Sequence, residues 1–139
     1  MPTIKGVLET VLRVSELQRS EQFFQSVFGF ETLEREENFC ALRVSAQQVL
    51  VLKKSGAYAQ HVAVAGGMIP PAESAGQLHL AFAIPTHDLE LWLERLTELG
   101  VPIESRINWK KGGATSIYVR DPDDNCIELM TPGVWDFYS

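Results

Sequence analysis

Tyr118-Val119-Arg120-Asp121-Pro122-Asp123-Asp124-Asn125-Cys126-Ile127-Glu128-Leu129 reads as a strand, a turn and a second strand. Asp, Pro and Asn crowd the middle, and these are turn formers because they preset φ or bond their own backbone. In the closing strand side chains alternate, so Ile127 and Leu129 oppose Glu128 and Met130. In the preceding strand Ser116, Tyr118 and Arg120 share a face by the same rule. A glutamate in so apolar a strand needs a partner.

Outward from this stretch, the chain repeats itself. Leu78-His79-Leu80-Ala81-Phe82-Ala83-Ile84 is strand-like, with Leu80, Phe82 and Ile84 greasy and His79, Ala81 and Ala83 opposite. A helical pattern follows over Asp88–Leu99, with Leu89, Trp92, Leu93, Leu96 and Leu99 as its apolar stripe, Thr86 as its cap and Gly100 as its stop. The first half has the same plan. Val7–Val14 is a strand with Glu9, Val11 and Arg13 on one face. Ser15 caps a helix carrying Leu17, Phe24, Val27 and Phe28, and Gly29 ends it. Two or three short strands follow, including Cys40–Val44, before Val49-Leu50-Val51-Leu52 closes the half. The register pairs Glu9 with His79 and Leu50 with Glu128. Each half therefore predicts strand, helix, then several strands. Residues 1–56 and 78–139 are the expected modules of a single 1–139 domain. Residues 57–77, rich in Gly, Pro and Ala, form an irregular linker able to act as a flap.

Glu9, His79 and Glu128 are polar where strands should be apolar, and all three lie on the faces with small residues, as a cavity lining would. A shared metal ion would satisfy them. One imidazole and two carboxylates suit Mn²⁺, Fe²⁺, Ni²⁺, Mg²⁺ or Zn²⁺. Plainer readings stand beside this one. His79 can bond a backbone carbonyl in a core, Glu128 can pair with Arg13 or Arg120, and Glu9 can sit solvated on an edge strand.

The bulk numbers bound the function. A chain of 139 residues, 45% hydrophobic and 22% charged, is one globular domain's worth. A formal net charge of −6 argues against nucleic-acid and anionic-membrane partners. No apolar run has membrane-spanning length, and Met1–Gly6 lacks a secretion pattern, so the cytoplasm is the expected location. Cys40 and Cys126 read as buried free thiols. Trp109-Lys110-Lys111-Gly112-Gly113 reads as a solvated hairpin loop near a cavity mouth.

The residues also resemble a known family. Val14-Ser15-Glu16-Leu17 with Phe23-Phe24 and Phe28-Gly29-Phe30 is similar to the opening of the vicinal oxygen chelate superfamily, which includes glyoxalase I, extradiol dioxygenases, fosfomycin-modifying enzymes and bleomycin-binding proteins. His79-Leu80-Ala81-Phe82 resembles its central histidine strand. Tyr118–Leu129 resembles its closing motif, with Asp124 where Gly is usual. The resemblance implies an α+β fold of two βαβββ modules whose curved mixed sheet cradles a divalent metal around a central cavity. Its ligand positions fall on Glu9, Leu50, His79 and Glu128. Leu50 cannot bind metal, so the four-ligand glyoxalase I pattern is not met. Glu9, His79 and Glu128 instead match a three-ligand arrangement from strands one, five and eight.

The expected activity is a metal-dependent lyase or dioxygenase acting on a small oxygen-rich substrate, in a homodimer. Glu9 and Glu128 are its expected catalytic carboxylates, with Glu9 as third ligand or as general base. Arg13, Tyr118 and Arg120 are expected to bind substrate. The alternative is a metal-free, drug-sequestering binder of the bleomycin-resistance type.

Overall fold

The computed structural model describes residues 1–72, 76–135, 137 and 138. The chain divides into two compact units, Met1–Gly76 and Gln77–Ser139. The first contains β1 (Glu9–Val14), α1 (Leu17–Phe28), β2 (Glu31–Arg35), β3 (Phe39–Ser45), β4 (Gln48–Lys54), β5 (Val62–Val64) and β6 (Gly67–Ile69). The second contains β7 (His79–Ala83), α2 (Leu89–Glu98), β8 (Ser105–Asn108), β9 (Thr115–Arg120) and β10 (Cys126–Met130).

The repeat is present at the level of topology. The first sheet has strand order β1-β4-β3-β2 and the second β7-β10-β9-β8. In each, the strand before the helix pairs in parallel with the last strand of its sheet, and the other pairings are antiparallel. The fold is thus α+β with two βαβββ modules. Among the described residues, no helix is long and apolar enough to cross a membrane.

Alternation decides which face is covered. Leu12, Val14, Cys40, Leu42, Leu50 and Leu52 are buried on one face of the first sheet. Helix α1 packs on β3 and β4, with Phe24 and Val27 buried. The other face carries Glu9, Val11 and Arg13. In the second unit Ile84, Leu96, Ile117, Val119, Ile127 and Leu129 form the buried set.

Several local expectations are corrected. Val7 and Leu8 are exposed and precede β1. Glu16, not Ser15, holds the N-cap position of α1, without a side-chain bond, and the Ser15 hydroxyl accepts from Arg19 (2.8 Å). Thr86 opens a 3₁₀ turn, Thr86–Asp88, and α2 begins at Leu89. Of the α2 stripe only Leu96 is buried, and Leu99 is 45% exposed. The expected linker contains the β5–β6 hairpin, in which Val64 pairs with Gly67 across Ala65-Gly66. Val62, Val64 and Ile69 are β-formers around a two-residue turn, a signal masked by the surrounding Gly and Pro. The centre of that linker, residues 73–75, lies outside the described residues. Cys40 is a buried free thiol, pushed up to about 11 chiefly by burial; Cys126 is free and only partly buried.

One buried polar tie was not legible in the sequence. Glu21, 5% exposed on α1, accepts from Arg35 Nε (3.0 Å) and the Thr32 hydroxyl (2.6 Å), fastening the helix to β2. The Arg35 bonds outweigh burial and hold this carboxyl below its ordinary 4.5. A lowered folded-state value gives stability that is present above 4.5 and lost as pH falls through the folded value. Glu21→Gln should therefore cost about 1–2 kcal/mol at pH 7. The gap to wild type should close as pH falls below 4.5. Urea denaturation across pH checks this, and parallel profiles would refute it.

Candidate functional site

The site is built on the face of the second sheet opposite the buried set. His79 is the first residue of β7 and lies beside Cys126; Ala81 lies beside Glu128. The small Ala81 leaves room for the imidazole to lean along the sheet. His79 Nε2 meets Glu128 Oε1 at 2.8 Å. The Glu128 side chain is 4% exposed and that of His79 56%, so the pair has one buried end and one open end. His79 takes its position partly from the Asp121–Asn125 turn. Asp121 accepts from the backbone N–H of Asn125 (2.8 Å), and Asn125 Oδ1 accepts from the N–H of Leu78 (2.9 Å). Asp124 stands at φ 63 in that turn, a left-handed position that Asp tolerates and Gly would occupy without strain.

The other Glu128 oxygen is also taken. Ser116 Oγ, fully buried on β9, donates to Oε2 at 2.5 Å. Trp109 Nε1 donates to Ser116 Oγ at 2.9 Å. Tyr118 is the register partner of Glu128, and its ring centroid lies 6.0 Å from that of His79. Burial, then the Glu128 charge, pushes the Tyr118 phenol above its ordinary 10.0. It is therefore a neutral O–H donor at neutral pH.

Glu128 uses its oxygens on His79 and Ser116, not on an arginine. Arg120, expected to take an anionic substrate group, is engaged by Glu104 (3.0 Å) and by the Asp124 carbonyl (3.0 Å). It braces the turn, because Glu104 is drawn next to β9 by its N–H bond to the Tyr118 carbonyl (2.8 Å). Lys110 and Lys111 are exposed as a solvated loop requires, but Trp109 turns inward. Ser116 carried a readable signal, since it shares the Glu128 face by alternation. Trp109 carried none, since its aim depends on the loop.

In the first unit Glu9 opens the edge strand β1 and is exposed, on the face shared by Val11 and Arg13. The ladder places Arg13 beside Lys53, whose ammonium lies 4.3 Å above the centre of the Tyr58 ring. The ladder also corrects the internal alignment. Glu9 lies beside Val49 as His79 lies beside Cys126. The equivalent of Glu128 is therefore Val51, while Leu50 matches Ile127 and is buried on the helix face. The fourth ligand position is apolar under either alignment.

His79 Nε2 and Glu128 Oε1, 2.8 Å apart, are in direct hydrogen-bond contact. Two donors about 2.1 Å from one octahedral ion lie about 3 Å apart, so the two atoms could both reach an ion placed on their open side. Among the described residues, neither unit by itself brings three His, Cys, Asp or Glu side chains together as a metal site. Glu9 belongs to the first unit, His79 and Glu128 to the second.

Comparison with known proteins follows the same lines. Residues 6–129 match the family model of the Glyoxalase/Bleomycin resistance protein/Dioxygenase superfamily. The chain is 26% identical over 133 residues to the metallothiol transferase FosB of Bacillus licheniformis, covering 96% of this chain and 79% of that protein. It is 28% identical over 119 residues to the catechol-2,3-dioxygenase of Bacillus subtilis, covering 85% of this chain but 38% of the dioxygenase. The solved lactoylglutathione lyase of Agrobacterium tumefaciens superposes with a TM-score of 0.87 at 26% identity, covering 98% of this chain and 100% of that one.

Proposed function

The chain belongs to the Glyoxalase/Bleomycin resistance protein/Dioxygenase superfamily, and we propose that it is a divalent-metal-dependent enzyme of the glyoxalase-like or dioxygenase-like kind, acting on a small oxygen-rich substrate. The observation that carries this reading is the 2.8 Å approach of His79 Nε2 to Glu128 Oε1, a contact with one buried and one exposed end. Relatives named as a metallothiol transferase, a dioxygenase and a lyase support it.

In this proposal His79 and Glu128 hold the ion, and Glu9 serves as third ligand or as general base. With Glu9 as ligand the donor set is one nitrogen and two oxygens, which suits Mn²⁺, Fe²⁺, Ni²⁺, Mg²⁺ or Zn²⁺. When bound, the ion supplies positive charge against which negative charge on a substrate oxygen can develop. Tyr118 holds a proton close to Glu128 and can donate a hydrogen bond to that oxygen. Arg13, with Lys53 beside it, offers fixed positive charge to an anionic group of the substrate. A homodimer working in the cytoplasm belongs to the same proposal.

Metal analysis of protein purified without chelators tests it. The wild type should carry one divalent ion per chain, and the His79→Ala/Glu128→Ala double variant none. Metal-free wild type that binds basic aromatic compounds would overturn the enzyme reading in favour of a sequestering binder.

A further inference from the structure

We propose that Trp109 and Ser116 are positioning residues that fix which oxygen of Glu128 faces the metal position; this rests on the metal reading above. A carboxylate on a flexible side chain can present either oxygen, or both, to a cation. Here the choice is made by a chain of donors that starts at the Trp109 indole. The indole N–H can donate and cannot accept. It donates to Ser116 Oγ at 2.9 Å. That fills one acceptor site of the hydroxyl and leaves its single proton for Glu128 Oε2, 2.5 Å away. Oε1 remains for His79 Nε2. Ser116 is fully buried, so water does not compete for its hydroxyl.

The origin of the relay is held in place by backbone. Trp109 N–H donates to the Ala114 carbonyl (2.8 Å), closing the loop between β8 and β9. The loop is pressed against the segment after β10: a Cβ on Gly112 would lie 2.2 Å from the Gly133 carbonyl oxygen. Thr115 N–H donates to Thr131 Oγ1 (2.8 Å) beside this contact. The indole is therefore aimed by a clamped loop. Partners of this kind around a ligand usually contribute about 10- to 100-fold in metal affinity.

Isothermal titration with Mn²⁺ tests the relay on wild type, Ser116→Ala, Ser116→Thr and Trp109→Phe. Ser116→Ala should raise Kd about 10- to 100-fold. Trp109→Phe keeps an aromatic ring, though a smaller one, and loses the donor, and should raise Kd by a smaller factor. Ser116→Thr keeps the hydroxyl and should stay within about threefold of wild type, a rescue that general loss of packing would not give. The indole N–H resonance of Trp109 should also move during titration, with those of Trp92 and Trp135 unchanged. Should Ser116→Ala fail to fold, Trp109→Phe and that resonance carry the test. Wild-type binding with unchanged variants would overturn the relay alone. A wild type that takes up no Mn²⁺ would overturn the metal reading and the relay together.

Discussion

Glu128→Ala should weaken divalent-ion binding by about three orders of magnitude, about 4 kcal/mol at 1.4 kcal/mol per tenfold. The loss is large because this side chain supplies both a donor atom and the negative charge, from a site only 4% exposed where charges interact strongly. Glu128→Gln separates the two contributions. It keeps an acceptor oxygen and nearly the same shape, so it should fold as wild type and still bind weakly. The alanine variant should also lose about 1–3 kcal/mol of stability, because the buried Ser116 hydroxyl loses its acceptor. Glu9→Gln resolves the role left open for that residue. As a ligand it lowers affinity; as a general base it leaves affinity alone and lowers kcat. Titration calorimetry with Mn²⁺ beside urea denaturation reads all of these effects. Glu128→Ala binding within tenfold of wild type would place the ion elsewhere.

That Glu128 and His79 could be picked from the sequence at all follows from strand geometry. A period of two makes a charged side chain conspicuous among apolar neighbours, and the Asp121–Asn125 turn anchors the phase. The same period explains the one alignment error. Leu50 and Val51 are both apolar, so nothing in their chemistry marks the face, and a slip of one residue exchanges faces. The ladder, which sets Glu9 beside Val49, removes the ambiguity. The helices were readable in position but not in burial. The α2 stripe is apolar, yet only Leu96 is fully covered, because burial depends on what packs above a helix and not on its own periodicity. Glu21 and Trp109 escaped for a different reason. Each acts through a partner, Arg35 or Ser116, that only the tertiary course of the chain brings within 3.0 Å. Hydrogen bonds of this sort have no sequence period to betray them.

Phe24→Ala should have the largest effect on stability, about 4 kcal/mol, within the 3–5 kcal/mol typical of a buried phenylalanine. Phe24 is fully buried on α1. Its ring stacks on Phe28 (centroids 5.9 Å) and Phe30 (6.2 Å) and meets the edge of Phe23 (5.2 Å). Phe28 arrives by helical spacing, four residues on. Phe30 arrives by the helix end: Gly29 sits at φ 73, its N–H donates to the Gln25 carbonyl (3.0 Å), and the Phe30 N–H turns back to the Phe24 carbonyl (3.4 Å). This pair of bonds returns the residue after the glycine onto the helix's last turn, where a hydrophobic contact completes the motif. The cluster therefore depends on backbone conformation as well as on ring size. Gly29→Ala leaves every ring in place yet should cost about 1 kcal/mol, since an alanine is strained at that φ. Phe30→Ala should fall between these two, because Phe30 is only partly buried. Urea denaturation of the three variants gives the ranking. If Phe24→Ala cost less than Phe30→Ala, the ring stack would be ornament to the fold of the first unit and not its core.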